Sequence, residues 1–111
     1  MPPRGHARGP ARHERPAIDE AALIAARAGD RLLAAAQERG VVRWTSYLEP
    51  LPDRLRDDDL LDLRRTALRA RAAYGPKDSV RDALPGEFTE PFLEAVDLLI
   101  RALNRRDNNA E

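Results

Sequence analysis

The sequence predicts an all-α protein: a small helical bundle of three long helices plus one or two short ones, with a disordered basic N-terminal tail. Three observations carry this. Apolar residues recur at helical spacing through residues 17–39, 53–74 and 89–106. Strand signals are confined to residues 41–48, and a lone strand has no pairing partner. Chemically natural stops, Gly40, Gly75-Pro76 and Pro85-Gly86, separate the periodic stretches.

At 111 residues, one domain of modest core is expected. The expected organisation is a tail over 1–16, a single helical domain over 17–106 and a frayed end over 107–111. The net charge is zero, yet residues 1–16 carry +3 and the remainder −3. Arginine supplies all the positive charge except Lys77. Together with the abundant alanine, this is the composition expected of high-GC bacterial coding.

The tail, MPPRGHARGPARHERP, has four prolines and no aliphatic residue larger than alanine apart from Met1. It offers too little apolar surface to offset the entropy of ordering. A chain starting at Ala17 is therefore expected to melt within about a degree or two of the full chain.

In the first long helix, Asp19 and Glu20 suit the positive end of the helix dipole and Gly40 the C-terminal stop. Its apolar face is rich in alanine and contains Gly29, which costs about 1 kcal/mol against Ala in mid-helix. A close neighbouring helix would explain that glycine. Residues 41–52 read as a short helix ended by Pro50 and Pro52. Residues 53–74 contain the second long helix, firm from about Asp58, with Asp57, Asp58, Asp59 and Asp62 at its start and arginines towards its end, matching the dipole. Ser79 is expected to cap a short helix. Thr89 is expected to cap the third long helix, with Pro91 in its first turn. The expected core is Ile24, Leu32, Leu33, Trp44, Leu48, Leu60, Leu68, Tyr74, Phe92, Val96, Leu99, Ile100 and Leu103. No internal repeat is evident.

Most enzymatic chemistries find no residues here. Without cysteine there is no thiol nucleophile, disulfide or Cys-ligated metal. Both histidines, His6 and His13, lie in the tail, where no preorganised catalytic pair forms. Lys77 sits in Gly-Pro-Lys, not in a phosphate-binding loop. The aspartate run lacks the spacing of a calcium loop. The expectation is thus no enzyme, no metal and no cofactor.

What remains is recognition. Arg64 and Arg71 fall within the apolar arc of the second helix, positioned to snorkel, to pair within the chain or to meet a partner. Trp44 and Tyr47 are candidate anchors. Leu98 lies off the Phe92–Leu103 seam, beside Ala95 and Ala102. The leading expectation is a non-enzymatic interaction or regulatory protein working through protein–protein contacts at these five residues, with a homodimer as one form. The alternative is a nucleic-acid accessory protein whose tail arginines, Arg4, Arg8, Arg12 and Arg15, touch phosphates weakly. Lacking a secretory segment or a membrane span, the chain is expected in the cytoplasm.

Overall fold

The structure, a computed structural model, describes residues 11–109. Arg4, Arg8, His6 and the first ten residues of the expected tail lie outside the described residues. The fold is all-α. A 3-10 turn (Arg12–Glu14) leads into α1 (Pro16–Glu38), α2 (Val42–Leu48), α3 (Leu51–Asp57), α4 (Leu60–Ala72), α5 (Val80–Ala83) and α6 (Gly86–Asn109). Helices α1, α3, α4 and α6 form a ring in which α1 packs on α6 and α3, and α4 packs on α6 and α3. Helix α2 covers one end, against α1 and α3.

The α1–α6 contact is the most extensive, and small residues explain it. Ala22, Ala25, Ala26, Ala28, Gly29 and Ala36 of α1 are buried. A Cβ on Gly29 would stand 3.0 Å from Cε1 of Phe92 on α6 and 3.5 Å from Cγ of Pro52 on α3. The mid-helix glycine thus admits the Phe92 ring, as its sequence context suggested. Gly40 ends α1 with φ +66°, and Ser79 caps α5 by accepting from the Arg81 N–H at 3.1 Å.

Four boundaries differ from expectation. Helix α4 begins at Leu60, close to the firm start expected near Asp58, but the chain turns at Asp58-Asp59 and the residues before it form a separate helix, α3. Asp59 caps α4 by accepting from the Asp62 N–H at 2.9 Å, and Asp58 accepts from the Thr66 hydroxyl at 2.5 Å. Pro52 begins α3 instead of ending α2, because a first-turn proline lacks only an N–H that has no helical partner anyway. Helix α6 starts at Gly86, with the Pro85 carbonyl accepting from Phe88 and Thr89. Thr89 is therefore fully buried inside the helix instead of capping it, and its hydroxyl donates to Glu90. Finally, α6 continues to Asn109.

The tail boundary also moves. The Arg12 side chain is only 10% exposed. Its Nε lies 2.9 Å and its Nη2 2.8 Å from Oδ1 of Asp19, and Nη1 donates to the Asp58 carbonyl at 2.9 Å. One guanidinium thus ties the first turn of α1 to the α3–α4 junction. Hydrogen bonds to charged groups contribute about 1.5–3 kcal/mol, and about 1 kcal/mol shifts a domain this size by several degrees. Removing residues 1–16, or making Arg12→Ala alone, is now expected to lower the melting temperature by about 4–8 °C. Melting followed by circular dichroism checks this; an unshifted Arg12→Ala would show the clasp to be idle.

The core holds Leu32, Trp44, Leu48, Leu60, Tyr74, Phe92, Val96, Leu99 and Leu103 as expected, with Leu51, Leu55, Leu63 and Val80 added. Leu33 and Ile100 are half-buried against it. Two expected core residues are instead exposed. Leu68 faces solvent because α3 and α6, on which α4 mainly packs, cover the Leu60-Leu63-Ala67-Ala70 side and leave Leu61 and Leu68 outside. Ile24 is on the outer side of α1, for a reason taken up below.

Around the α5 loop, Tyr74 donates to the Thr89 carbonyl at 2.5 Å, and the Arg81 guanidinium forks onto Glu90 at 2.8 and 2.9 Å. That fork and the Thr89 hydroxyl hold the Glu90 carboxyl down at about 2. Burial pushes the Tyr74 phenol upward. This network fastens the loop to α6.

Candidate functional site on the α1–α6 face

Four of the five residues expected to meet a partner are engaged within the chain. Trp44 is buried and meets Tyr47 edge-to-face at 5.4 Å. The Tyr47 hydroxyl donates to the Arg69 carbonyl at 2.6 Å, so this aromatic pair fastens α2 to α4. Arg71 pairs with Asp97 at 3.0 Å and Arg64 donates to Asn104 at 3.0 Å. The two arginines within the apolar arc therefore bridge α4 to α6, which is the intramolecular option of the sequence reading. Of the tail arginines, Arg12 is consumed by the clasp, and Arg15 is exposed at the start of α1.

Leu98 is the exception. It is 52% exposed on the outer side of α6. Directly across lies Ile24 of α1, 42% exposed, which explains the misplacement of Ile24 in the expected core: the alanine row beneath it does the packing. Ile24, Ala28, Ala95 and Leu98 line an open groove between the two helices, edged by Arg27 and Arg31 on α1 and by Pro91 and Glu94 on α6.

The helices run antiparallel, since the beginning of α1 (Pro16 to Ile18) lies by Ala102 and Arg105, while Arg31 lies by Pro91. Along the groove α1 exposes Glu20, Ile24, Arg27 and Arg31, and α6 exposes Glu94, Leu98, Arg101 and Arg105. Both follow the spacing i, i+4, i+7, i+11, which is one stripe of a helix. The match extends to the residues beneath: Ala21 and Ala28 on α1 correspond to Ala95 and Ala102 on α6. A twelve-residue pattern, Glu-Ala-x-x-Ile/Leu-x-x-Arg-Ala-x-x-Arg, thus occurs twice. The sequence reading missed it because it followed apolar periodicity and not the charges on outer faces.

Antiparallel packing turns this double pattern into a checkerboard. At one end of the groove α1 is basic (Arg27, Arg31) and α6 acidic (Glu94); at the other α1 is acidic (Glu20) and α6 basic (Arg101, Arg105). Among the described residues these six charges enter no ion pair.

Among the described residues no group of three histidine or acidic side chains is placed to hold a metal ion, and no helix is long and apolar enough to cross a membrane. No protein-family model, curated protein or solved structure significantly matches the chain.

Proposed function

We propose that this is a non-enzymatic helical interaction protein whose working surface is the α1–α6 face, and that the surface pairs with a second copy of the chain. The observation that carries this reading is the checkerboard around Ile24 and Leu98. A two-fold axis lying along the groove sets α1 of one copy over α6 of the other with heights preserved. Arg27 and Arg31 then oppose Glu94, and Glu20 opposes Arg101 and Arg105, at both symmetry-related ends. A closed symmetric dimer needs a patch that complements itself in this way. Ile24 and Leu98 supply the apolar centre, and the buried alanines keep the face flat enough for close approach.

The size of the face sets the expected strength. Twelve helical residues span about 17 Å, and two adjacent helices are about 8–10 Å apart. Such a patch lies at or below the roughly 800 Å² per partner of a standard interface, so a dissociation constant on the order of micromolar is expected. Regulation by concentration is natural for a complex this weak.

Sedimentation equilibrium tests the proposal. The wild type is expected to dimerise, and Leu98→Glu to weaken the dimer by about 100-fold, because an unpaired carboxylate is costly to bury. Charge reversal gives the more specific check. Glu94→Arg is expected to weaken pairing, and Arg27→Glu with Arg31→Glu on the same chain to restore it. A wild type that stays monomeric at hundreds of micromolar, or a Leu98→Glu variant that pairs as before, overturns the reading.

A further inference from the structure

Opposite the α1–α6 face, on the α3–α4 side of the ring, the chain has a second concave feature of different chemistry. It is a cleft of about 320 Å³ lined by Pro50 of the α2–α3 turn, Arg54 of α3, and Arg65, Thr66 and Arg69 of α4. Three arginines from two helices line one small concavity.

The neighbouring carboxylates neutralise them only in part. Asp58 accepts from Thr66 through Oδ2, and its backbone carbonyl accepts from Arg12. Asp62 lies 3.7 Å from Arg65, a loose pair with Arg65 largely exposed. Among the described residues neither Arg54 nor Arg69 has a carboxylate partner. Other arginines of this protein do pair with a carboxylate on a neighbouring helix: Arg56 with Asp30, Arg71 with Asp97, Arg81 with Glu90.

Arg69 is also held in place before any ligand arrives. Its guanidinium carbon stands 4.7 Å from the centre of the Tyr47 ring, and the same tyrosine's hydroxyl grips the Arg69 carbonyl. Stacking on an aromatic face restricts a side chain that otherwise loses much rotamer freedom on binding. The Asp58-Asp59 turn is what folds α3 back beside α4, and so brings Arg54 to Arg65 and Arg69.

We propose that this cleft binds a phosphate-type oxyanion, free or as the phosphoryl group of a small molecule, held by Arg54, Arg65 and Arg69. Planar guanidinium forks match the oxygens of phosphate two at a time, and three of them meet the charge of a dianion. The cleft has room for a phosphoryl group with a small substituent and little more. It lies away from Leu98, so it stands whether or not the chain dimerises.

An amide NMR titration of the full chain tests this, with sodium phosphate, O-phosphoserine and sodium chloride at matched ionic strength. Saturable shifts are expected with phosphate or phosphoserine, confined to residues around 53–55 and 64–70, and absent with chloride. The tighter of the two probes identifies a free or an esterified source. Arg54→Gln and Arg69→Gln are each expected to weaken binding by about tenfold or more. Arg69→Lys, keeping the charge without the fork, should weaken it less, and Arg15→Gln not at all. In chloride alone Arg54→Gln should melt no lower than wild type, since it relieves like-charge repulsion; a merely structural arginine would melt lower. Equal shifts with chloride, no saturation, or undiminished binding by both Gln variants overturns the proposal. So does a cleft that responds to a single-stranded oligonucleotide but to neither small probe.

Discussion

Leu99→Ala is expected to lower the unfolding free energy by about 2–5 kcal/mol, the range for truncating a buried leucine. Leu99 is fully buried, as are Phe92 and Val96 on the same helix, with Leu103 nearly so. Helix α6 packs against α1, α4 and α5, so a cavity at Leu99 opens at the centre of the ring and has no single neighbour free to fill it. Domains of this size are stable by about 5–15 kcal/mol, which makes the loss a large fraction of the whole. The adjacent residue supplies the control. Leu98→Ala, at an exposed position, should change the stability of the monomer by less than about 0.5 kcal/mol. Chemical denaturation at a concentration below dimerisation checks both, and equal effects at the two positions would mean that α6 is rotated about its axis.

Gly29→Leu is the second substitution with a large expected effect. The first added carbon already stands 3.0 Å from the Phe92 ring, and leucine brings three more into the seam between α1, α6 and Pro52 of α3. Overpacking of this kind costs about 1–3 kcal/mol, and separating the two most extensively packed helices places this case at the upper end. Gly29→Ala is expected to be close to neutral. Helix propensity favours alanine by about 1 kcal/mol, while the phenylalanine ring must give by a few tenths of an ångström. Denaturation midpoints of the pair check the idea; a Leu variant as stable as wild type would show that the helices are not held this close.

Much of this architecture could be read from residue order because local chemistry and tertiary packing agree there. Gly40, Ser79 and the alanine face of α1 all behave as their side chains dictate. Several of the disagreements share a physical cause: a contact distant in sequence decides them. Nothing local reveals that Asp58 will receive Thr66 and Arg12, so residues 53–57 read as the loose start of one helix and not as a helix of their own. Arg12 looked like part of a solvated tail because its partners, Asp19 and the Asp58 carbonyl, come together only in the folded chain. Thr89 has the chemistry of a cap, but the Pro85 carbonyl and the Tyr74 hydroxyl claim that end of α6 first.

The candidate site was legible in part for similar reasons. Leu98 stood out because its position off the α6 seam is a property of one helix. Its counterpart Ile24 did not, since an isoleucine among alanines is ordinarily the residue that turns inward. The arginine cleft was invisible, because Arg54 reaches Arg65 and Arg69 only through the unrecognised turn. Arg64 and Arg71 attracted notice instead, and the structure engages them with Asn104 and Asp97.

The packing of α1 on α6 also has a consequence for biosynthesis. Helix α1 leaves the ribosome well before α6, the helix on which it packs most extensively, is made. At translation rates of about 5–20 residues per second, its alanine seam waits on the order of seconds for that counterpart. During this interval α1 is a nascent amphipathic segment stabilised only by its own propensity and by the short helices that follow it. The same alanines that allow close packing in the finished protein keep that waiting surface weakly sticky, because each buries little apolar area alone. A seam built from leucines would hold the mature fold with more buried carbon, but it would present a far greedier surface to other nascent chains.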